Sequence, residues 1–506
     1  MTSAILITYG TLAVFFAIVV LILQVAHIKD RNFTEFAVAG RSFGGAYQAM
    51  AFLNTYLPGT IFIAGVGFIA SKGVIGFYQL PACLIGQLTM YVMARRVWTW
   101  GSTYDLRTQA DLLGLRFGSR AVRILASLVG VLALLPFLVL GMQSLGAVFS
   151  ALSFGRIGYT SAVVIGVAAM AVRQIWTMNM GMRGIVISDF FQGIVAYGIG
   201  TLLIIGLIAW LGAQGIGFTS VEPRLYVFPG PASPVPLAFF SLELTLVLGS
   251  LCFPDLFIRL YTADGVRSVK QGAALGAPIA LVFLGGLNLL ALLSTALPGV
   301  AGKPQDAWFA LAGRAGGPFA LALAGTMVFA ASMGNFDATV QSCATQLAND
   351  VLGACLKLSS RQLTRIARAT IAILTIATAA IACLPLPQLF TLVLFGLQAV
   401  IQLSVPLYLG IFTRFGNSTG AAGGLIAGIA TLAVLDLRWP LAIPWAFGLN
   451  AGLIALGVNL LVYVVAGVLR APDMEEHRRI ERLFAALRIP PKAPAEAPSE
   501  GAPAAD

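Results

Sequence analysis

Leu57-Pro58-Gly59 and Gly249-Ser250-Leu251-Cys252-Phe253-Pro254 each interrupt a long apolar stretch near its centre. Proline withdraws a backbone donor and glycine relaxes the helix, so each break leaves bare carbonyls and amides at membrane depth. Hydrocarbon cannot solvate such groups; they must be buried in protein or line a polar cavity. Breaks at equivalent places in two halves of a chain point to the midplane binding site of a secondary transporter.

The rest of the chain fits that setting. Its 506 residues are 58% hydrophobic and 10% charged, the balance of a polytopic membrane protein. Windows long enough to cross hydrocarbon predict thirteen spans, at 4–25, 45–71, 74–94, 124–150, 158–175, 184–212, 237–262, 274–298, 318–345, 366–385, 388–412, 419–436 and 442–468, called spans 1 to 13 below. No cleavage-like run of small residues follows the first, which reads as a retained helix. With the N-terminus outside, only Lys72, Arg156, Arg224, Lys303, Arg314 and Arg438 of the 31 Lys and Arg residues face outward, as the positive-inside rule requires. The net charge of +11 is then loop topology and contact with anionic lipid, and nucleic acid is not needed to explain it. The odd number of cysteines, five, implies no disulfide framework. His27 and His477 fall near cytoplasmic ends, and no Cys/His cluster has zinc spacing.

The expected fold is all-α and polytopic. A leading helix precedes two five-span halves, spans 2–6 and spans 7–11, and two helices close the chain. Because five is odd, the halves enter from opposite sides, giving a 5+5 inverted repeat with the N-terminus outside and the C-terminus cytoplasmic. Residues 1–470 form the transporter domain. The stretch 471–489, with Met474, Ile480, Leu483, Phe484 and Leu487 among basic residues, predicts a cytoplasmic amphipathic helix on the inner membrane surface. The Ala/Pro-rich tail 490–506 is expected to be disordered. The loop 95–123 is periodic enough for a short helix, and the Gly- and Pro-rich loop 213–236 suits either a lid or a plain connector.

Chemistry concentrates in span 9. Ala330-Ala331-Ser332-Met333-Gly334-Asn335-Phe336-Asp337-Ala338-Thr339-Val340-Gln341-Ser342 puts polar groups where hydrocarbon would penalise them. At helical spacing Ser332, Asn335, Thr339 and Ser342 share one stripe, and Asp337, Gln341 and Thr345 another. Such stripes either glue helices together or face a pathway, and an ionisable member favours the pathway. Asp337 is one intramembrane acid and Glu243 of span 7 the other; each is a candidate proton or charge site, Glu243 alternatively a buried carboxylate paired with an Arg or hydrogen-bonded neutral. Asp255 and Arg259, near the cytoplasmic end of span 7, read as an interfacial gate or a helix-end anchor. No nucleophile-base set, phosphate loop or metal cluster suggests an enzyme or an organic cofactor.

These segments resemble the sodium:solute symporter family over nearly the whole length to about residue 470. Ala330 to Asp350 is similar to the family's polar span with its closing Asp. Gly181-Met182-Arg183-Gly184 through Ser188-Asp189-Phe190-Phe191-Gln192-Gly193, Phe253-Pro254-Asp255 with Arg259, and Gly410-Ile411-Phe412-Thr413-Arg414 before Gly420-Ala421-Ala422-Gly423-Gly424 resemble three further family motifs in the right order. The resemblance implies the leucine-transporter fold, alternating access, and a sodium site between spans 2 and 9. Carried over by position, the carbonyls of Asn54, Leu57 and Ala331 would bind the ion, and Asp189 would lie on its exit route. The two hydroxyl residues that usually complete the site are here Gly334 and Asn335, a departure that bears on sodium coupling, since glycine offers no side-chain oxygen. The unwound helix and its partners supply the expected solute contacts, Thr55, Tyr56, Thr60, Gln143 and Ser250. The run Tyr56 to Gly67 is most similar to the pantothenate and monocarboxylate branch.

The expectation is therefore a cytoplasmic-membrane symporter importing a small organic solute, a carboxylate, coupled to Na+. A proton-coupled or uncoupled transporter using Asp337, Glu243 or Asp189 is the first alternative. The second is a transporter-like membrane sensor, whose output would need a separate, unidentified partner protein.

Overall fold

The computed structural model describes residues 2–26, 32–228, 235–300, 303–384, 389–440 and 442–488. His27, the tip of the loop 213–236 and the tail 490–506 lie outside them. The described residues are helical throughout, with no strand; two isolated backbone bridges, Phe43 to Ala263 and Ile443 to Leu449, tie loops to one another.

Both interruptions are real breaks. The helix Gly45–Tyr56 ends at Leu57 (φ −110°, ψ 80°) and extended Pro58 (ψ 159°), then restarts through a 3₁₀ turn at Gly59–Phe62. Val235–Gly249 passes through the 3₁₀ turn Ser250–Cys252 and extended Phe253 (ψ 124°) before resuming at Pro254, with a 48° bend. Leu57, Gly59, Ser250, Leu251 and Cys252 are all buried, so the freed backbone groups face protein rather than lipid.

Ten described helices are long and apolar enough to cross a membrane, or eleven with the bent pair counted. Three of these contain reversals. Tyr159–Ala213 has 55 residues, which as one rod would reach about 80 Å. Instead Gly181 adopts φ 55°, ψ −143°, and Arg173 hydrogen-bonds Ser188 at 2.5 Å. Those residues would lie about 22 Å apart on a straight helix, so the chain doubles back at Gly181. Glycine is required there twice over, by the positive φ and because a Cβ would sit 2.4 Å from Phe36 O. Gly59–Thr103 turns back likewise at Gly73 (φ 68°), bringing Phe68 edge-on to Tyr78 at 6.0 Å. A third reversal, at Gly316-Gly317, lets Trp308 donate to Ala324 O and folds the short helix before Pro318 back onto span 9.

Span 9 is the axis of the molecule, packed on spans 1, 4, 5 and 10, while span 8 lies along spans 2 and 3. The loop 95–123 holds the helix Gln109–Phe117, capped by Thr108. Its Arg116, fully buried, donates to the carbonyls of Gly410, Thr413 and Phe415 at the end of span 11. The helix Met474–Ala486 begins with an Asp473–Glu476 capping box. Part of its apolar face packs on protein, while Met474 stays exposed. Ile480 and Leu483 are buried on the protein, Trp100 donates to Leu483 O at 2.7 Å, and Phe484 packs edge-on against the Trp100 ring.

A candidate solute and cation site between two broken helices

The break in span 2 lies against span 9. A Cβ on Gly59 would strike Ser332 Oγ at 2.0 Å and Val328 O at 2.4 Å, so only glycine lets the unwound strand approach this closely. Ser332 in turn shares a 2.7 Å hydrogen bond with Ser144 of span 4. One turn on, Asn335 Nδ2 donates to Thr55 O at 2.8 Å, and another turn on Thr339 donates to Asp255 at 2.7 Å. The first polar stripe of span 9 therefore faces both broken helices. The second faces spans 5 and 6 and their surroundings: Asp337 ion-pairs with Arg173 and accepts from Gln174, and Gln341 donates to Phe36 O.

Of the residues expected to hold a cation, Asn54, Leu57, Asp189, Gly334 and Asn335 come together, but in the company of donors, and Ala331 is buried one residue before Ser332. Leu57 O accepts from the Tyr197 hydroxyl at 2.8 Å. A Cβ on Gly334 would lie 1.8 Å from Asn54 Nδ2 and 2.8 Å from Asp189 Oδ1, so the Asn54 amide fills the room a hydroxyl side chain would take. That amide donates to Asp189 at 2.9 Å. Arg259 of span 7 closes the cluster, 2.8 Å from Asp189 and donating to Thr55 Oγ1 at 2.9 Å, with Asp189 and Arg259 both fully buried. The acceptors left for a cation are second lone pairs on carbonyls and the amide oxygen of Asn335.

Sequence reasoning left the buried Arg173 unremarked and read the buried Arg259 only as a gate or helix-end anchor. Arg173 was placed at the end of span 5, but the helix runs on to the turn at Gly181 and so submerges it. Arg259 is fully buried as the partner of Asp189, and Asp255, in the first turn of the helix Pro254–Phe257, accepts from Leu256 N and from Thr339. The charge of Asp337 is thus already met by protein rather than available to an ion. Tyr197 and Ser144 also escaped notice; each is one of several hydroxyls in an otherwise apolar helix, which gives no signal that singles it out.

Of the expected solute contacts, Tyr56 and Ser250 converge: a Cβ on Gly86 of span 3 would lie 3.4 Å from each. Tyr56 also stacks on Phe52. Thr55 is turned to Arg259. Thr60 and Gln143 are half-buried, beside the contacts made by Gly59 and Ser144 respectively. Among the described residues Glu243 has neither of the partners expected for it, and both its carboxylate oxygens are shut off from solvent without a hydrogen-bond donor.

Paired broken helices around a polar centre, in an otherwise apolar helical bundle, define a multi-pass membrane transporter. The chain matches the sodium:solute symporter family over residues 36–428, and it belongs to that family. The symporter YhjB of Bacillus subtilis is 24% identical, covering 93% of this chain and 97% of its own length. The sodium/pantothenate symporter of Escherichia coli is 24% identical over 80% of this chain and 85% of its own. For the monocarboxylic acid transporter of Corynebacterium glutamicum the identity is 22%, with 80% and 79% covered. The solved outward-open structure of a Na+-coupled sialic acid symporter superposes with a TM-score of 0.74 at 16% identity, covering 92% of this chain and 98% of that one. The fold is thus LeuT-like, and the family consists of transporters rather than enzymes.

Proposed function

We propose that this protein is a secondary active transporter of the cytoplasmic membrane that imports a small organic solute, a carboxylate, coupled to Na+ by alternating access. The observation that carries the reading is the convergence of both broken helices on the polar stripe of span 9, through Thr55, Gly59, Asn335 and Asp255. The carbonyls of Asn54, Leu57 and Ala331 with Asn335 Oδ1 would hold the ion beside Gly334, and Thr55, Tyr56, Thr60, Gln143 and Ser250 the solute. The pantothenate and monocarboxylate transporters among the relatives support a carboxylate. Eleven apolar stretches with reversals at Gly73 and Gly181 support thirteen crossings, the odd number that an outside N-terminus and a cytoplasmic C-terminus require.

A second reading, coupling to protons or to nothing, is favoured by one specific observation. Asn54 occupies the place of a hydroxyl ligand, and the guanidinium of Arg259 already neutralises Asp189. Uptake into proteoliposomes under separately imposed sodium and proton gradients distinguishes the two. Accumulation driven by sodium alone upholds the first reading; accumulation driven only by protons, or mere equilibration, upholds the second. Absence of any solute flux under either gradient would defeat both.

A further inference from the structure

Glu243 takes no part in the junction between spans 2 and 9. It lies seven residues before Ser250 on span 7, so two helical turns bring both side chains to the same face. Ser250 meets Tyr56 over Gly86 on that face, and the helix Val235–Gly249 packs against span 3 and the turn Gly73–Tyr78 before it. The Glu243 carboxyl bonds to neither the Tyr56 nor the Tyr78 hydroxyl. The two other acids of this centre differ: Asp189 has Arg259, and Asp337 has Arg173. Among the described residues no cation compensates Glu243, and the sequence at 229–234 and 385–391 contains no Lys, Arg or His. An ionised carboxylate held away from water without donors is costly, and an intramembrane acid of this kind marks a pathway.

We propose that Glu243 is the subsite for a cationic nitrogen of the transported solute, which makes that solute an amine-bearing, zwitterionic molecule rather than a plain carboxylate. The proposal rests on the transport reading above and narrows its substrate class. An ammonium group brings both the missing charge and up to three N–H donors, enough for both carboxylate oxygens. The rest of the solute lies towards Tyr56 and Ser250, which the seven-residue offset places about 10 Å along the helix. A hydroxyl in place of the ammonium would supply a donor but leave the charge unmet.

The test uses the purified full-length protein and matched probes: alanine against lactate, and 4-aminobutyrate against 4-hydroxybutyrate, read as thermal stabilisation across a concentration series. In wild type at least one aminated probe is expected to act at concentrations at least tenfold lower than its hydroxy partner. Glu243→Gln should erase that ratio, and Glu243→Asp, which keeps the charge, should retain a preference for the amine. Equal action of the hydroxy acids in wild type, an unchanged ratio in Glu243→Gln, or no response to either aminated probe would overturn the proposal. Should Glu243→Gln fail to fold, the wild-type ratio together with the Asp variant decides. An amine preference without flux under any gradient would sink transport and leave the subsite standing; flux without the preference would do the reverse.

Discussion

Arg173 and Asp337 face each other in the interior of the molecule, both almost wholly shielded from solvent. Removing one partner of such a pair strands a charge, which costs about 3–5 kcal/mol, whereas replacing both with apolar residues of similar volume is often neutral. Arg173→Met and Asp337→Leu should therefore each lower the unfolding temperature in detergent sharply, and the double variant should recover most of the loss. Gly334→Ser is a second residue-scale case. It restores a hydroxyl typical of the family, yet its Cβ would run into Asn54 and Asp189. Overpacking of this kind costs about 1–3 kcal/mol, so the variant should melt lower and, unless Asn54 is also shortened to Ala, gain no sodium-dependent stabilisation. The acids of the centre were legible in the sequence because an Asp in an apolar helix declares itself. Their partners were not, since Arg173 and Arg259 sit near the nominal ends of spans, and only the true helix lengths decide whether they are wetted or buried.

At the scale of elements, the Asp189–Arg259 pair ties span 6 to the second broken helix, and the Arg259–Thr55 bond ties it to the first. Three moving parts are thus latched at one point. Cutting the latch with Arg259→Ala should favour the state open on the side of Arg259. In a background lacking Cys355 and Cys383, maleimide labelling of buried Cys343 should then speed up several-fold; an unchanged rate would show that the pair is no latch. The positions of the two breaks could be read from proline and glycine alone, because no residue between them can restore the missing donor. The reversals at Gly73 and Gly181 fall in the gaps that hydropathy leaves between spans 2 and 3 and between spans 5 and 6, although which residue turns the chain is not read from an apolar run itself.

For the whole molecule, the helix Met474–Ala486 shows what an amphipathic pattern leaves open. Its apolar face predicts a resting place on the inner membrane surface; Trp100 and the helix Gln109–Phe117 offer a protein surface that buries Ile480 and Leu483 and leaves Met474 exposed. Periodicity reveals that a face is covered, not by what. Truncating Leu483 to Ala should cost about 2–5 kcal/mol locally, seen as faster amide exchange across 474–486 with transport retained. Detachment with no change in exchange would mean that the contact carries little energy. The crossing number is tested by single cysteines at Arg224 and Arg120, which thirteen spans place on opposite sides. Impermeant reagent added outside should label the first and spare the second.

The hairpin at Gly181 sets a limit on how such a machine can flex. Two antiparallel rods joined through one residue, wedged against Phe36 and cross-stitched from Arg173 to Ser188, have no slack to give. They behave as a stiff fork, and any swing must carry Asp189 on one tine and the counter-ion of Asp337 on the other as a single piece. The compliance is left to the two cracked rods at Leu57–Gly59 and Ser250–Phe253, so the places that grip cargo are also the places that bend.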